Sequence, residues 1–149
     1  MTSPQAQWQQ AGNQLYRVED DTQWLRIQGI VEESELRTIT ESGREIARQR
    51  GYYIVLCDAT HGTGMSPQAR QYNAGFNKAN QGLHGVSVVY GVSSTARVML
   101  NLVFRGMTLL ALRPPAVIFA KDEAEALLIA QTERLRLQAL SHASSQPQK

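Results

Sequence analysis

The residue types closest to a catalytic set occur together in one short stretch of the chain. Asp58, His61 and Ser66 combine an acid, a base and a hydroxyl within nine residues. A catalytic triad requires the base to contact the nucleophile and the acid to orient the base. Ser66 has no G-x-S-x-G sequence around it. Hydrolysis is therefore the third hypothesis for this stretch, after two in which the chain binds without catalysis.

Other sequence signals for chemistry are incomplete. The segment Gly62-Thr63-Gly64 allows backbone N–H groups to approach a phosphate. However, it has neither the lysine of a P-loop nor the spacing of a dinucleotide fingerprint. The three histidines and the single cysteine, Cys57, do not have the spacing of a metal site. We therefore predict no catalytic residue, no metal site and no cofactor, and a Cys57 that packs as a small apolar side chain.

The elements on either side of this stretch are predicted to hold it in place. Residues 52–58 are apolar without alternation, which indicates a strand buried on both faces between parallel neighbours. Residues 58–65 are predicted to be a polar loop. Ser66-Pro67 then has the pattern of a helix start, with serine as N-cap and proline at the first helical position. Open α/β sheets place ligand or partner sites at such strand–loop–helix junctions.

The rest of the sequence predicts one α/β domain. The element order is β-β-α-β-α-β-α-β-α, which is typical of a mixed, mainly parallel five-stranded sheet with about four helices. We expect flexible tails at residues 1–13 and 141–149 and a folded domain at residues 14–140. The predicted strands are 15–19, 22–31, 52–58, 86–90 and 116–120, and the predicted helices are 32–50, 66–80, 95–112 and a last helix starting at 122.

Length, charge and hydropathy restrict the function classes. The chain has 149 residues, which suits one domain. Its formal net charge is only +2, so electrostatics does not favour a nucleic-acid partner. No run of apolar residues is long enough to span a membrane, and the N-terminus does not resemble a secretory signal. A cytoplasmic location is therefore expected.

The third predicted helix, residues 95–112, is unusually apolar. It has no acidic residue, and its polar side chains form one narrow stripe. One sheet face cannot cover so much apolar surface. We expect packing against the last helix first, then a homodimer or protein interface, then a lipid-like ligand or a membrane surface. The residues predicted for this apolar interface are Met99, Val103, Phe104, Met107 and Leu110.

Three stretches of the sequence resemble the STAS superfamily, whose domain is shared by sulfate transporters and anti-sigma factor antagonists. They are TQWLRIQGIVEESEL, YYIVLCDATHGTGMSPQAR, and the pair GVSVVYGVSS and AVIFAKDEAEALL. The similarity covers most of residues 14–138 and is strongest to the small bacterial branch that groups with the sporulation anti-anti-sigma factor and with SEC14-type lipid-binding domains. It implies a regulatory module without enzymatic activity.

The resemblance also implies a phosphorylated serine at the start of the helix after the central strand, where a partner kinase acts. The matching position is Ser66, although Gly64-Met65-Ser66-Pro67 replaces the Asp-Ser-Ser/Thr-Gly of the family. The leading hypothesis is a cytoplasmic module that binds a protein partner, such as a kinase or sigma-factor regulator. The alternative is a carrier of an apolar or lipid-like ligand beside the third helix. The predicted partner-binding residues are Thr60, His61, Gly62, Thr63, Gly64, Met65, Ser66, Arg70, Asn73 and Asn77.

Overall fold

The computed structural model describes residues 6–109 and 116–145, which form one six-stranded sheet and four helices. The strands are β1 (Gln9–Ala11), β2 (Gln14–Glu19), β3 (Thr22–Val31), β4 (Tyr53–Met65), β5 (Gly85–Tyr90) and β6 (Val117–Phe119). The helices are α1 (Glu33–Arg50), α2 (Pro67–Ala79), α3 (Ser94–Leu109) and α4 (Glu123–Ser144).

The strands lie in the sheet in the order in which they occur in the sequence. β1, β2 and β3 form an antiparallel meander, and β3 to β6 are parallel to one another. This architecture confirms the predicted mixed, mainly parallel α/β fold with four helices. The predicted number of strands was one too low, because β1 was not recognised.

The missed strand lies in the segment predicted to be an N-terminal tail. β1 is short and polar, so it gives no hydrophobic period to detect. The turn from β1 into β2 is stabilised by helix α1, because the backbone N–H of Asn13 donates to Oε1 of Glu35 at 2.8 Å. Ala11, the last residue of β1, is buried in the core beside α1. The tail prediction is therefore wrong for residues 9–13.

The C-terminal tail was also predicted to start too early. α4 continues to Ser144, and the hydroxyls of Ser144 and Ser145 donate to carbonyls one turn earlier in the helix. Serine and glutamine after Leu140 gave no apolar period, but they do not break a helix that packing has already nucleated.

The two faces of β4 pack against different helices, as a strand buried on both sides requires. Ile54 and Leu56 lie in a core cluster with the α4 residues Ala126, Ala130 and Leu137. Val55 lies in a second cluster with Ile39 of α1. The predicted double-sided burial of this strand is confirmed, and it places α1 and α4 on opposite faces of the sheet.

None of the described helices is both long and apolar enough to cross a bilayer.

Candidate functional site

The segment predicted to be a loop, residues 58–65, is instead the second half of β4. Residues 53–58 pair with β3 on one side and β5 on the other, whereas the pairing beyond residue 58 is with β3 alone. Thr60, His61, Thr63, Gly64 and Met65 are exposed, and Gly62 is half-buried. The prediction of a loop was wrong because glycine and threonine suggest a turn, while β3 is long enough to pair with them. Most of residues 60–65 are nevertheless exposed to solvent.

The free end of this β3–β4 ribbon carries two exposed apolar side chains. Ile30 is 53% exposed and Met65 is 36% exposed. The strand register pairs Ile30 with Gly64 and Val31 with Met65, so the Ile30 and Met65 side chains lie at the same end of the ribbon but on its opposite faces. We call the surface formed by Ile30, Thr63, Gly64, Met65 and Arg70 the ribbon-end surface.

Ser66 is the N-cap of α2. Its Oγ accepts a hydrogen bond from the backbone N–H of Ala69 at 3.1 Å, and Pro67 occupies the first helical position. The residue is 8% exposed. This geometry confirms the capping interpretation of the sequence. It also means that a kinase would meet a Ser66 hydroxyl that is already engaged in a hydrogen bond.

The three residue types of a hydrolytic triad do not come together. Oδ1 of Asp58 accepts hydrogen bonds from the backbone N–H and the hydroxyl of Thr60, at 3.0 and 2.6 Å. The Ser66 hydroxyl is engaged at the helix cap, and His61 forms no hydrogen bond with either residue. Among the residues that the structure describes, no cluster of histidine, cysteine and acidic side chains is arranged to hold a metal ion.

The polar residues predicted for the outer face of α2 share one side of the helix, because they are spaced by three and four residues. Arg70 and Asn77 are exposed, and Asn73 is half-buried. Arg70 donates from Nη1 to the carbonyl of Met65 at 3.3 Å. Asn73 and Asn77 line a groove together with Phe76 and Met65, so the groove adjoins the ribbon-end surface at Met65.

This groove lies between α1, α2 and the sheet, with a volume of about 270 Å³. Its walls are mainly apolar and include Leu25, Ile39, Val55, Phe76, Val89 and Val117. Asn73, Asn77, Thr40 and Ser87 add a few polar groups. Most small-molecule sites are concave, apolar and carry a few polar groups in this way.

α3 leaves much of its apolar surface uncovered. Met99 is 63% exposed, and Val98 and Leu102 are similarly exposed. Packing of this helix against α4 was the first expectation, and it is wrong for the described residues, because α4 makes no extensive contact with them. Of the other residues predicted for the apolar interface, the side chains of Val103, Phe104 and Met107 and all of Leu110 lie outside the described part of the structure.

A second candidate surface, which sequence reasoning missed, lies on the α4 side of β2 and β3. The Arg17 guanidinium lies 4.9 Å from the ring centroid of Trp8 and 4.9 Å from that of Trp24. The Arg26 guanidinium lies 4.4 Å from the Trp8 centroid. The only sequence signal was the presence of both tryptophans near alternating arginines, and the strand register was needed to bring them together.

Two ionisable groups near the carboxyl ends of the parallel strands have perturbed pKa values. Burial, together with the negative charge of Asp58, raises the pKa of the Cys57 thiol to about 12. Burial, with the carboxylates of Glu123 and Asp58, raises the pKa of the Tyr90 phenol to about 12. At neutral pH both groups keep their protons, so neither is poised to act as a nucleophile or a base.

Comparison with known proteins finds similarity in structure only. No protein-family model and no curated protein matches the sequence. The anti-sigma factor antagonist SpoIIAA in its unphosphorylated form superposes with a TM-score of 0.51 and 14% identity, over 85% of this chain and 97% of SpoIIAA. An uncharacterized DUF3478-family protein from Shewanella loihica PV-4, which has a SpoIIAA-like fold, superposes with a TM-score of 0.53 and 14% identity, over 85% of this chain and 96% of that protein. The chain therefore has the SpoIIAA-like fold, which confirms the resemblance noted in the sequence.

Proposed function

We propose that this protein is a non-catalytic cytoplasmic module that binds a protein partner through its ribbon-end surface. The observation that carries the proposal is the exposure of Ile30 and Met65 at the free end of the ribbon, one on each of its faces. An exposed apolar pair on an uncharged strand segment, with the cation Arg70 at its edge, is typical of the centre and rim of a protein interface.

The fold supports a partner in signalling, such as a kinase or a sigma-factor regulator. One of the similar solved structures is an anti-sigma factor antagonist in its unphosphorylated form. In our proposal the start of α2 belongs to the same contact surface, since Ser66 directly follows Met65. Phosphorylation of Ser66 would require the first turn of α2 to open, because the hydroxyl caps that turn.

Site-specific photo-crosslinking tests this surface directly. A benzophenone amino acid is introduced at Thr63, which is exposed on the ribbon, and separately at Glu45, which is exposed on α1. Each protein is expressed in the host cells and irradiated. The proposal predicts a discrete crosslinked protein from position 63 and none from position 45.

Equal crosslinking from both positions, or none from either, would contradict the proposal. A product of exactly two copies of this chain would identify the surface as a homodimer contact. The substitution Met65→Asp in the protein labelled at position 63 should reduce the yield of the crosslinked product, because burying a carboxylate in an apolar contact is costly.

The groove on the α1 and α2 side favours a second candidate function, a carrier of an apolar or lipid-like ligand. Its apolar walls offer a matching surface for such a molecule, and none of the described residues of α3 lines it. Native mass spectrometry of freshly purified protein should then show a bound small molecule. Asn73→Trp, which fills the groove from its rim, should reduce the bound fraction, whereas Gln68→Trp on an exposed face of α2 should not. A ligand-free mass for the wild-type protein would exclude this candidate.

A further inference from the structure

The arginine–tryptophan stack on β2 and β3 leaves part of its donor capacity unused, although Arg17 forms a long ion pair with Glu19. Nε of Arg17 is buried and has no hydrogen-bond partner in the described structure. The nearest carboxylate to this side chain, that of Glu19, lies 3.8 Å from Nη2, which is beyond hydrogen-bond distance. A buried donor without an acceptor destabilises the folded state.

Arg26 is in a similar position. It is exposed, and it forms no ion pair or hydrogen bond with any residue that the structure describes. The strand register places Arg26 beside Asp58, but no hydrogen bond or ion pair joins them, and Oδ1 of Asp58 accepts from Thr60. Both guanidiniums lie close to the ring of Trp8, so two like charges share one small region. An anion beside the exposed Arg26 guanidinium would relieve their repulsion and provide an acceptor for the Arg26 donors.

We propose that Arg17, Arg26 and Trp8 form a binding site for an oxyanion carried on a planar ring, such as an aromatic carboxylate or a phosphate monoester. A guanidinium presents its donors as a rigid fork that matches the oxygens of a carboxylate or phosphate. The indole rings provide a surface on which an aromatic ring stacks. The site belongs to the sheet face opposite the groove, so it is independent of the proposed partner binding and of the apolar-ligand candidate.

The charges around the site define where the anion lies. Asp58 and Glu123 place negative charge beside Tyr90, on the β5 side of the cluster. An anion is therefore repelled from Tyr90 and attracted toward β2 and β3. Since Trp24 closes the far side of Arg17, the ligand approaches the cluster from the side of Arg26, which is exposed, and Trp8, which is half-buried.

Tryptophan fluorescence reports on this site alone, because the two tryptophans of the chain, Trp8 and Trp24, both belong to it. The protein is titrated with phenyl phosphate, phenylacetate, inorganic phosphate and acetate at constant ionic strength, with KCl as the reference. The proposal predicts a saturable change in emission with phenyl phosphate or phenylacetate, at lower concentration than with the ring-free anions. The tighter of the two aromatic probes identifies the anionic group.

Variants separate the site from general charge effects. Arg26→Gln should weaken binding by about tenfold or more, as expected for the loss of one charge-assisted contact. Arg26→Lys should bind with intermediate strength, because it keeps the charge and loses the fork. Arg70→Gln removes an equally exposed arginine on α2 and should bind as the wild type does.

Two outcomes would overturn the proposal. The first is an emission change that does not saturate or that KCl reproduces. The second is equal affinity in the wild type and both Arg26 variants, with melting curves showing that all three proteins are folded.

Discussion

Arg134 of α4 donates from Nε to Oδ2 of Asp21 at 2.7 Å, across 113 residues of sequence. The Tyr52 hydroxyl donates to the same oxygen at 2.6 Å, and Thr22 donates to Oδ1 at 2.8 Å. Asp21 lies in the turn between β2 and β3 and is buried. One carboxylate therefore connects the N-terminal hairpin, the start of the parallel sheet and the C-terminal helix.

The Asp21 carboxylate should make the stability of the fold depend on acidity. Burial alone would raise its pKa, but the hydrogen bonds from Arg134, Tyr52 and Thr22 outweigh burial and lower the pKa from 3.8 to about 2. A lowered folded-state pKa contributes stability above the unfolded-state value, and that contribution is lost as pH falls from about 4 to 2. We expect a loss of about 2 kcal/mol over this range.

Denaturant unfolding of Asp21→Asn at several pH values measures this effect. The variant should be less stable than the wild type at pH 7 by about 2–4 kcal/mol, and the difference should shrink below pH 4. Asp20→Asn is the matched control, since Asp20 is the neighbouring exposed acid in the same turn. A pH profile of Asp21→Asn that runs parallel to that of the wild type would disprove the assignment.

The turn between β1 and β2 should tolerate no side chain at Gly12. Gly12 has a φ of 59°, and a Cβ there would lie 2.2 Å from Oε1 of Glu35. The Glu35 side chain cannot move away without losing hydrogen bonds, because its carboxylate oxygens accept from Asn13, Gln14 and Glu32.

Gly12→Ala should therefore destabilise the protein by about 1–3 kcal/mol. In contrast, Gly75→Ala should stabilise it by about 0.5–1 kcal/mol, because Gly75 is helical and a Cβ there meets open space. Thermal melting of the two variants provides the comparison, and similar melting temperatures would contradict it.

The cap at Ser66 gives a third prediction. Ser66→Ala should lower the free energy of unfolding by about 1 kcal/mol, whereas Ser66→Asp should largely preserve it, because aspartate is an equally good N-cap. Urea denaturation measures both values, with the exposed Ser34→Ala as the control. If Ser66→Asp lost as much unfolding free energy as Ser66→Ala, the Ser66 hydroxyl would stabilise the protein by something other than capping α2. If Ser66 is also a phosphosite, Ser66→Asp should change the yield of the Thr63 crosslink while the protein remains folded.

The Cys57 thiol should be unreactive in the folded protein. Its raised pKa of about 12 leaves almost no thiolate at pH 8. Reaction with a chromogenic disulfide should be slow in native buffer and complete at once in denaturant. Rapid reaction of the native protein would mean that β4 opens readily between α1 and α4.

The sequence predicted those parts of the fold that depend on local pattern. The unbroken apolar run at Ile54 to Leu56 revealed a doubly buried strand, and Ser66-Pro67 revealed a helix start. Features that depend on strand register were not predictable. The ribbon from residue 59 to 65 is a strand only because β3 extends beside it. Likewise, Arg17 meets Trp24 because the hairpin register pairs them.

The candidate sites were predictable to different degrees for the same reason. The exposed Met65 was expected, because it precedes a clear helix start. Its neighbour Ile30 was not expected, because alternation along β3 does not show where helix coverage of the sheet ends. The groove beside Asn73 and Asn77 was not predictable, since helical period gives relative directions but not how closely each position approaches the sheet.

The most direct test of the account is the affinity of the protein recovered by crosslinking at Thr63. Isothermal titration calorimetry should be carried out with the wild type, Met65→Asp and the control Gln68→Asp, which adds the same charge at a nearby exposed position of α2. The account predicts that Met65→Asp weakens binding by about tenfold or more while Gln68→Asp binds nearly as the wild type does. Equal affinities of all three proteins would contradict a partner site at the ribbon-end surface.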